Sequence, residues 1–128
     1  MIKTDGGLIL GGLTGKVIGA AMEVHKNLGT GFLESVYEEA LAYEFDLQKI
    51  AYERQKSLNA VYKGKVVKQF ICDFFVEGQI IVETKAIALL TDIDKFQVLN
   101  YLKTSGIEVG LLINFGGKSL EFKRFINN

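Results

Sequence analysis

The sequence predicts an α/β domain with helices flanking a central mixed β-sheet. Three observations predict it: apolar residues at helical spacing in the first part of the chain, β-branched and aromatic runs between short turns in the middle, and a continuous apolar run at 109–115 typical of a buried central strand. The predicted order is ααβββαββ. A length of 128 residues suits a single core.

Two helices open the predicted domain. The first is expected over residues 13–28 with Gly29 as its stop, because its apolar residues recur at helical spacing: Val17, Ala21, Val24 and Leu28. After the Gly29-Thr30-Gly31 break, an amphipathic pattern predicts a second helix to about Lys49. The glycine-rich residues 1–12 are predicted to form a flexible arm ahead of a domain at 13–128.

Strands are predicted after Ala51. The pattern from Tyr52 to Ala60 is mixed, but Val61-Tyr62 and Lys63-Gly64-Lys65 indicate a strand and a tight turn. The next two strands, 65–76 and 79–86, flank Glu77-Gly78 as a hairpin.

The last part of the chain is predicted to hold one helix and two strands. Thr91 to Asp94 has the form of a capping box, so a third helix is expected to about Thr104, ending at Gly106. Strands at 109–115 and 120–126 follow, separated by Gly116-Gly117.

Composition excludes several classes of protein. Fifteen basic and fifteen acidic residues give zero net charge, which argues against a wide polyanion-binding surface but not against a local site. The longest uncharged stretch, residues 6–15, is too short for a membrane span and makes a poor signal peptide. Cys72 is the only cysteine, so no internal disulfide forms, and a reducing cytoplasm is expected.

An acidic pair on the middle hairpin is the chemically unusual feature. If a three-residue loop centres on Gly78, Asp73 faces Glu83 and Lys85 shares their face, whereas a two-residue turn would place Asp73 opposite Val82. Two facing carboxylates repel unless a positive charge lies between them. Magnesium would resolve the conflict, held by Asp73, Glu83 and the Thr84 backbone carbonyl, with Lys85 beside it to act on a water or a phosphoryl group.

A structural interpretation of the same residues stays open. An acidic residue two positions before a lysine is a common pattern, and this chain has a second copy at Glu121-Phe122-Lys123. On the pattern alone, a solvated strand face with a cross-strand Lys85 ion pair is equally acceptable.

These residues, with others along the chain, resemble the bacterial GxxExxY proteins, a family placed in the PD-(D/E)xK nuclease superfamily. The name motif stands at Gly31-Phe32-Leu33-Glu34-Ser35-Val36-Tyr37. The leading helix, Asp73 with Glu83-Thr84-Lys85, the segment 97–102 and the segment 110–116 extend the resemblance over nearly all of the chain after Leu13.

The resemblance implies a restriction-endonuclease-like core and a magnesium- or manganese-dependent nuclease. It implies that Asp73 and Glu83 are metal ligands and that Lys85 is the catalytic lysine. It also implies that Glu34 approaches the metal from a helix, directly or through a water. Gln97 and Tyr101 match a glutamine and a tyrosine that some nucleases of this superfamily carry four residues apart, and that spacing places them on one helical face.

Other candidate residues have strong structural alternatives. Glu34 would also favour the N-terminal end of its helix, and His25 near a helix end is more often packed than functional. Tyr37 and Tyr101 suit half-buried aromatic positions as well as substrate contacts, and Cys72 is expected in the core. Three basic residues near the C-terminus could contact phosphate but better fit a solvated strand edge: Lys118, Lys123 and Arg124.

Taken together, the residues favour a metal-dependent nuclease that hydrolyses nucleic-acid phosphodiesters, with DNA preferred to RNA. The first rival is a catalytically silent nucleic-acid- or protein-binding module that keeps the nuclease fold. The second is a nuclease subunit that depends on a homodimer or a partner protein for its basic surface. Neutral net charge motivates both rivals, because the domain lacks an obvious face for a duplex.

Overall fold

The computed structural model describes residues 9–127 and confirms the order ααβββαββ. The helices are α1 (Gly11–Leu28), α2 (Glu34–Leu47) and α3 (Asp92–Ser105), and the strands are β1 (Tyr52–Tyr62), β2 (Lys65–Val76), β3 (Ile80–Lys85), β4 (Val109–Asn114) and β5 (Glu121–Ile126). Within these residues no helix combines enough length and apolar character to cross a membrane.

The sheet is mixed and runs in chain order from β1 to β5. Consecutive strands pair antiparallel except β3 and β4, which are parallel and are joined through α3. Between β2 and β3, Val76 pairs with Ile80 and Phe74 with Val82, so the loop has three residues centred on Gly78. That register is the one in which Asp73 faces Glu83.

Helices cover both faces of the sheet. The core on one face joins α1 and α2 to the sheet through residues such as Leu41, Phe45 and Phe74. The core on the other face joins α3 to the sheet through Val98 and Leu102. β4, whose residues are all buried, contributes alternately to both cores, as expected for a central strand.

Element boundaries differ slightly from those predicted. α1 begins at Gly11, so two residues of the predicted arm are helical, and residues 1–8 of that arm lie outside the described residues. The mixed pattern from Tyr52 to Ala60 belongs to a single strand, because β1 is an edge strand with every other residue partly buried. Lys49 lies beyond α2, in the left-handed region at φ 58°.

The β1–β2 pair changes face at Gln55 and Asp73. Phe74 on β2 packs toward α1 and α2, but Cys72, two residues earlier, packs toward α3. Regular alternation would put both on one face. The switch coincides with Gln55, whose φ is 51° and which makes no ladder pair with Asp73. Asp73 therefore lies at the point where the strand twists from one layer to the other.

Beyond this point the β1–β2 hairpin extends past the sheet. β3 pairs with β2 only at residues 74–76. Residues 57–71, which we call the distal ribbon, make ladder pairs only with each other, around the Lys63-Gly64 turn. Every residue from 61 to 69 is exposed.

A buried amide fixes the loop that leads from β3 to α3. Asn114, fully buried at the end of β4, bonds the Ile87 N–H and carbonyl, at 2.9 Å each, and donates to Glu121 at 3.0 Å. Gly116 lies so close to this loop that a Cβ there would come 2.0 Å from the Ile87 carbonyl oxygen. These contacts hold the segment after Lys85 against the sheet.

Candidate metal centre and active site

Beyond the last ladder pair of β2 and β3, the carboxylates of Asp73 and Glu83 accept hydrogen bonds from backbone N–H groups of the facing strand. The Asp73 N–H donates to Glu83 Oε2 at 2.8 Å, and the Thr84 N–H donates to Asp73 Oδ2 at 2.8 Å. Thr84 Oγ1 donates to the same Asp73 oxygen at 3.1 Å. Backbone N–H groups thus hold both carboxylates, and the Thr84 hydroxyl adds a side-chain contact to Asp73.

Glu83 lies in an environment that disfavours its charge. The residue is 7% exposed, and burial together with the adjacent Asp73 charge raises the pKa of Glu83 to about 8. The Asp73 N–H and Lys85 act in the opposite direction. A carboxyl group with this pKa needs an additional positive charge nearby to be fully ionised at neutral pH.

Two glutamates of α2 complete an acidic cluster, which we define as Glu34, Glu38, Asp73 and Glu83. Glu34, Glu38 and Asp73 each offer a carboxylate oxygen, and these oxygens lie within 4.8 Å of one another. Burial, followed by repulsion from Asp73, raises the pKa of Glu34, the first residue of α2. Three carboxylates at this separation suit an oxygen-preferring cation.

Glu38 is a member of the cluster that the sequence analysis did not single out. Its position four residues after Glu34 was the available signal, because residues four apart share a helical face. Glu38 is 8% exposed, and its Oε1 accepts from Arg54 at 3.0 Å and Gln55 at 2.7 Å. Arg54 also bonds Glu39 at 2.9 Å, so it neutralises part of the charge on the α2 side.

Lys85 lies two residues after Glu83 on the face of β3 that packs toward α3. Its Nζ is 4.0 Å from Asp94 Oδ1 in the first turn of α3. That aspartate is fixed by Thr91, whose N–H and hydroxyl both bond its Oδ2 in the capping box that the sequence predicted. α3 therefore begins with its capping acid facing the lysine.

An open groove of about 550 Å³ connects Lys85 to α3. Gln97 and Tyr101 lie along it on the same face of α3, as their spacing predicted, and Gln97 Nε2 donates to the Tyr101 hydroxyl at 2.9 Å. Tyr101 stacks on Phe70 with ring centroids 4.0 Å apart. Burial, then the charge of Glu83, raises the pKa of the Tyr101 hydroxyl. The residues lining the groove are Lys85, Ile93, Asp94, Phe96, Gln97, Asn100 and Tyr101.

His25 and Tyr37 are buried, and each stacks on Phe115. His25 Nε2 is 2.8 Å from the Gly117 carbonyl oxygen, and the Tyr37 hydroxyl donates to the Gly29 carbonyl at 2.5 Å. Tyr37 stacks on Phe115 at 4.8 Å. These partners give both residues structural roles in joining α1, α2 and the end of β4, and neither belongs to the acidic cluster.

The remaining candidates occupy other surroundings. Cys72 is fully buried against the α3 layer, as predicted, and burial raises the pKa of its thiol to about 12. Lys118 and Lys123 are exposed, and Arg124 donates to the Ile9 carbonyl oxygen. The second acidic-x-lysine copy differs from the first, because Glu121 bonds Asn114 and Leu90 rather than another acid.

Comparison with known proteins identifies a similar fold and a family. The chain is similar to the solved structure of a protein named SSO0001, with 17% identity, a TM-score of 0.50 and coverage of 91% of this chain and 79% of that chain. At that identity the likeness concerns the fold. No curated protein matches. The family model described as the PD-(D/E)XK nuclease superfamily matches residues 12–125, and the chain belongs to that superfamily.

Proposed function

We propose that this protein is a divalent-cation-dependent nuclease that hydrolyses phosphodiester bonds of nucleic acid. The observation that carries the proposal is the convergence of Asp73 and Glu83 from two strands, Glu34 from α2 and Lys85 beside them. Membership of the superfamily supports the same chemistry. The name motif from Gly31 to Tyr37 supports the finer assignment to the GxxExxY proteins.

The side chains of the acidic cluster have the properties of a cation-binding site. The cluster consists of hard oxygen donors, and burial together with repulsion from Asp73 raises the pKa values of Glu34 and Glu83. Asp73, Glu83 and the Thr84 carbonyl are the proposed ligands, with Glu34 bound directly or through a water and Glu38 as an additional donor. Mg²⁺ or Mn²⁺ suits such a set.

The chain's own groups have distinct proposed roles. A bound cation supplies a Lewis acid that lowers the pKa of a water and neutralises phosphoryl charge. Lys85 donates to a phosphate oxygen and offsets the charge that develops there. The Gln97 amide, oriented by Tyr101, holds the scissile phosphate on the α3 side of Lys85. His25 and Tyr37 act through packing.

Calorimetric titration with MnCl₂ tests the metal centre. Wild type is expected to bind one Mn²⁺, and Asp73→Ala is expected to lose binding by at least tenfold. Asp92→Ala is the matched control, since Asp92 is exposed at the start of α3 and outside the cluster. Equal binding in all three proteins, or none in any, would contradict the metal centre.

Cleavage assays test the reaction. Double-stranded DNA, single-stranded DNA and RNA are incubated with Mn²⁺ and wild type, with Lys85→Ala and with Lys123→Ala. The last variant removes the lysine of the second acidic-x-lysine copy and should cleave like wild type. Cleavage is expected with DNA in preference to RNA, and it should disappear in Lys85→Ala. Absence of cleavage by wild type would favour a silent binding module or a subunit that needs a partner.

A further inference from the structure

The neutral charge of the chain conceals a strong segregation along the β1–β2 hairpin. Between residues 54 and 72 there are five basic residues and no Asp or Glu. Three of the five lie in the distal ribbon: Lys63, Lys65 and Lys68. The other two are engaged at its base, since Arg54 bonds Glu38 and Glu39 and Lys56 is 3.0 Å from Glu53.

The three ribbon lysines are available for an external partner. All are exposed, and within residues 9–127 none of them forms an ion pair. Lys63 lies over the Tyr62 ring at 5.3 Å. Tyr62 and the neighbouring Val67 are themselves 62% and 56% exposed. The ribbon thus presents positive charge without the acidic neighbours found elsewhere on the surface.

The ribbon is continuous with the candidate active site. Lys68 and Phe70 are two residues apart in β2 and therefore lie on the same face of the strand. Phe70 stacks on Tyr101, which lines the groove that begins at Lys85. From Asp73 to Lys65 the strand advances eight residues, roughly 27 Å at the usual rise. A polymer whose scissile phosphate lies at Lys85 can therefore extend along the ribbon.

We infer that the distal ribbon is the arm that holds duplex DNA, its lysines contacting phosphates to one side of the scissile bond. The inference rests on the proposed nuclease function, and it explains how a domain with no net charge could hold nucleic acid. Lysines without acidic neighbours complement a polyphosphate backbone. A two-stranded ribbon also fits the major groove of B-form DNA, whereas the major groove of A-form RNA is too narrow to admit it.

The test is fluorescence anisotropy with a labelled 30-base-pair DNA in EDTA, where cleavage does not occur, across 50 to 200 mM salt. The ribbon variant Lys63→Gln, Lys65→Gln, Lys68→Gln should bind roughly tenfold or more weakly than wild type. Its salt slope should be smaller by about 2 to 3, because each phosphate that a lysine neutralises adds about 0.9 to the slope. The matched control is Lys16→Gln, Lys26→Gln, Lys49→Gln, which removes the same charge from exposed positions on and after the helices of the opposite layer.

The control should keep the wild-type salt slope. Equal weakening of both variants would overturn the inference, because total charge rather than the ribbon would then govern binding. An unchanged ribbon variant would also overturn it. So would a wild-type dimer that the ribbon substitutions convert to monomer, because the ribbon would then join two copies of the chain.

Failure of the ribbon is distinguishable from failure of the nuclease. Mn²⁺ titration of the ribbon variant should match wild type, because its substitutions lie outside the acidic cluster. If Mn²⁺ binds and DNA is cleaved while the ribbon variant binds DNA normally, the ribbon inference alone is wrong. If wild type binds DNA through the ribbon without metal binding or cleavage, the nuclease function alone is wrong.

Discussion

Asp73 and Lys65 belong to the same strand, yet their surroundings have opposite character. Around Asp73 the chain is acidic, packed on both faces and held by backbone hydrogen bonds. Around Lys65 it is basic and exposed, and its backbone pairs only within the ribbon. The acidic cluster uses burial to raise the energy of like charges, whereas the ribbon keeps like charges in water, where their repulsion is small.

This contrast explains why the zero net charge is uninformative about function. The total combines an acidic cluster suited to a cation with a basic ribbon suited to a polyanion. The negative charge of the cluster would favour binding of a cation, and the positive charge of the ribbon would favour binding of a polyanion. Comparable amino-acid substitutions in the cluster and in the ribbon test this contrast.

The largest expected difference is in cleavage. Lys85→Ala should lower the rate of DNA cleavage in Mn²⁺ by about 10²-fold or more, since it removes the group proposed to contact the reacting phosphate. Lys65→Ala in the ribbon should lower it by only about twofold at subsaturating DNA. Initial rates on one duplex measure both. A larger loss from Lys65→Ala would reverse the assignment of roles.

The next difference is in stability. Phe74→Ala removes a fully buried ring that contacts Phe45 and Tyr52, and should cost about 3 to 5 kcal/mol of unfolding free energy. Val67→Ala in the ribbon, where the side chain is 56% exposed, should cost under about 0.5 kcal/mol. Urea denaturation measures both changes. Similar losses would mean that the ribbon is packed against a surface in solution.

Glu83 should make stability depend on pH in the absence of metal. Its pKa rises from an ordinary 4.5 to about 8 on folding, so the folded protein binds more protons than the unfolded chain between these values. The free energy of unfolding should therefore fall as pH rises from 4.5 to 8, by on the order of 4 kcal/mol. Glu83→Gln should remove this decline in urea titrations.

Saturating Mn²⁺ should offset the same decline, because the cation stabilises the ionised carboxylate. No ribbon lysine should alter it, so Lys68→Gln is the control. A wild-type free energy of unfolding that stays constant over this pH range without metal would contradict the raised pKa of Glu83.

The smallest expected difference between the two regions is at their hairpin turns. Gly64 in the ribbon and Gly78 after β2 have φ values of 80° and 65°, and a Cβ at either meets nothing within 4 Å. Each Gly→Ala change should cost only the backbone strain, about 1 kcal/mol. Equal losses of stability from the two substitutions would mean that the two regions differ in the burial of their side chains and not in the conformation of their turns. A much larger loss at Gly78 would show that the cluster depends on its turn.

The sequence was sufficient for the element order and for the Asp73 and Glu83 register, because hydrophobic periodicity and a Gly78-centred turn are local signals. It was insufficient for Glu38, whose role comes from Arg54 and Gln55 on a strand sixteen and seventeen residues away. It also did not predict the face switch at Asp73, since a positive φ at Gln55 has no sequence signature.

The ribbon escaped sequence reasoning for a different reason. The stretch from Lys65 to Val76 predicts an ordinary sheet strand, because it is rich in β-branched and aromatic residues such as Val66, Val67 and Ile71. Only the short pairing of β3 with β2 leaves these side chains in solvent. Burial in a sheet depends on neighbouring strands, and their lengths are not local properties.

The overhang of β2 beyond β3 also bears on how this fold can diversify. Residues added or removed in pairs at the Lys63-Gly64 turn would lengthen or shorten the hairpin by about 3.3 Å per residue on each strand, without moving Asp73. Reach along a polymer could then evolve, or be engineered, separately from chemistry. In such a lineage the length of polymer that the protein can contact would increase with the length of the hairpin.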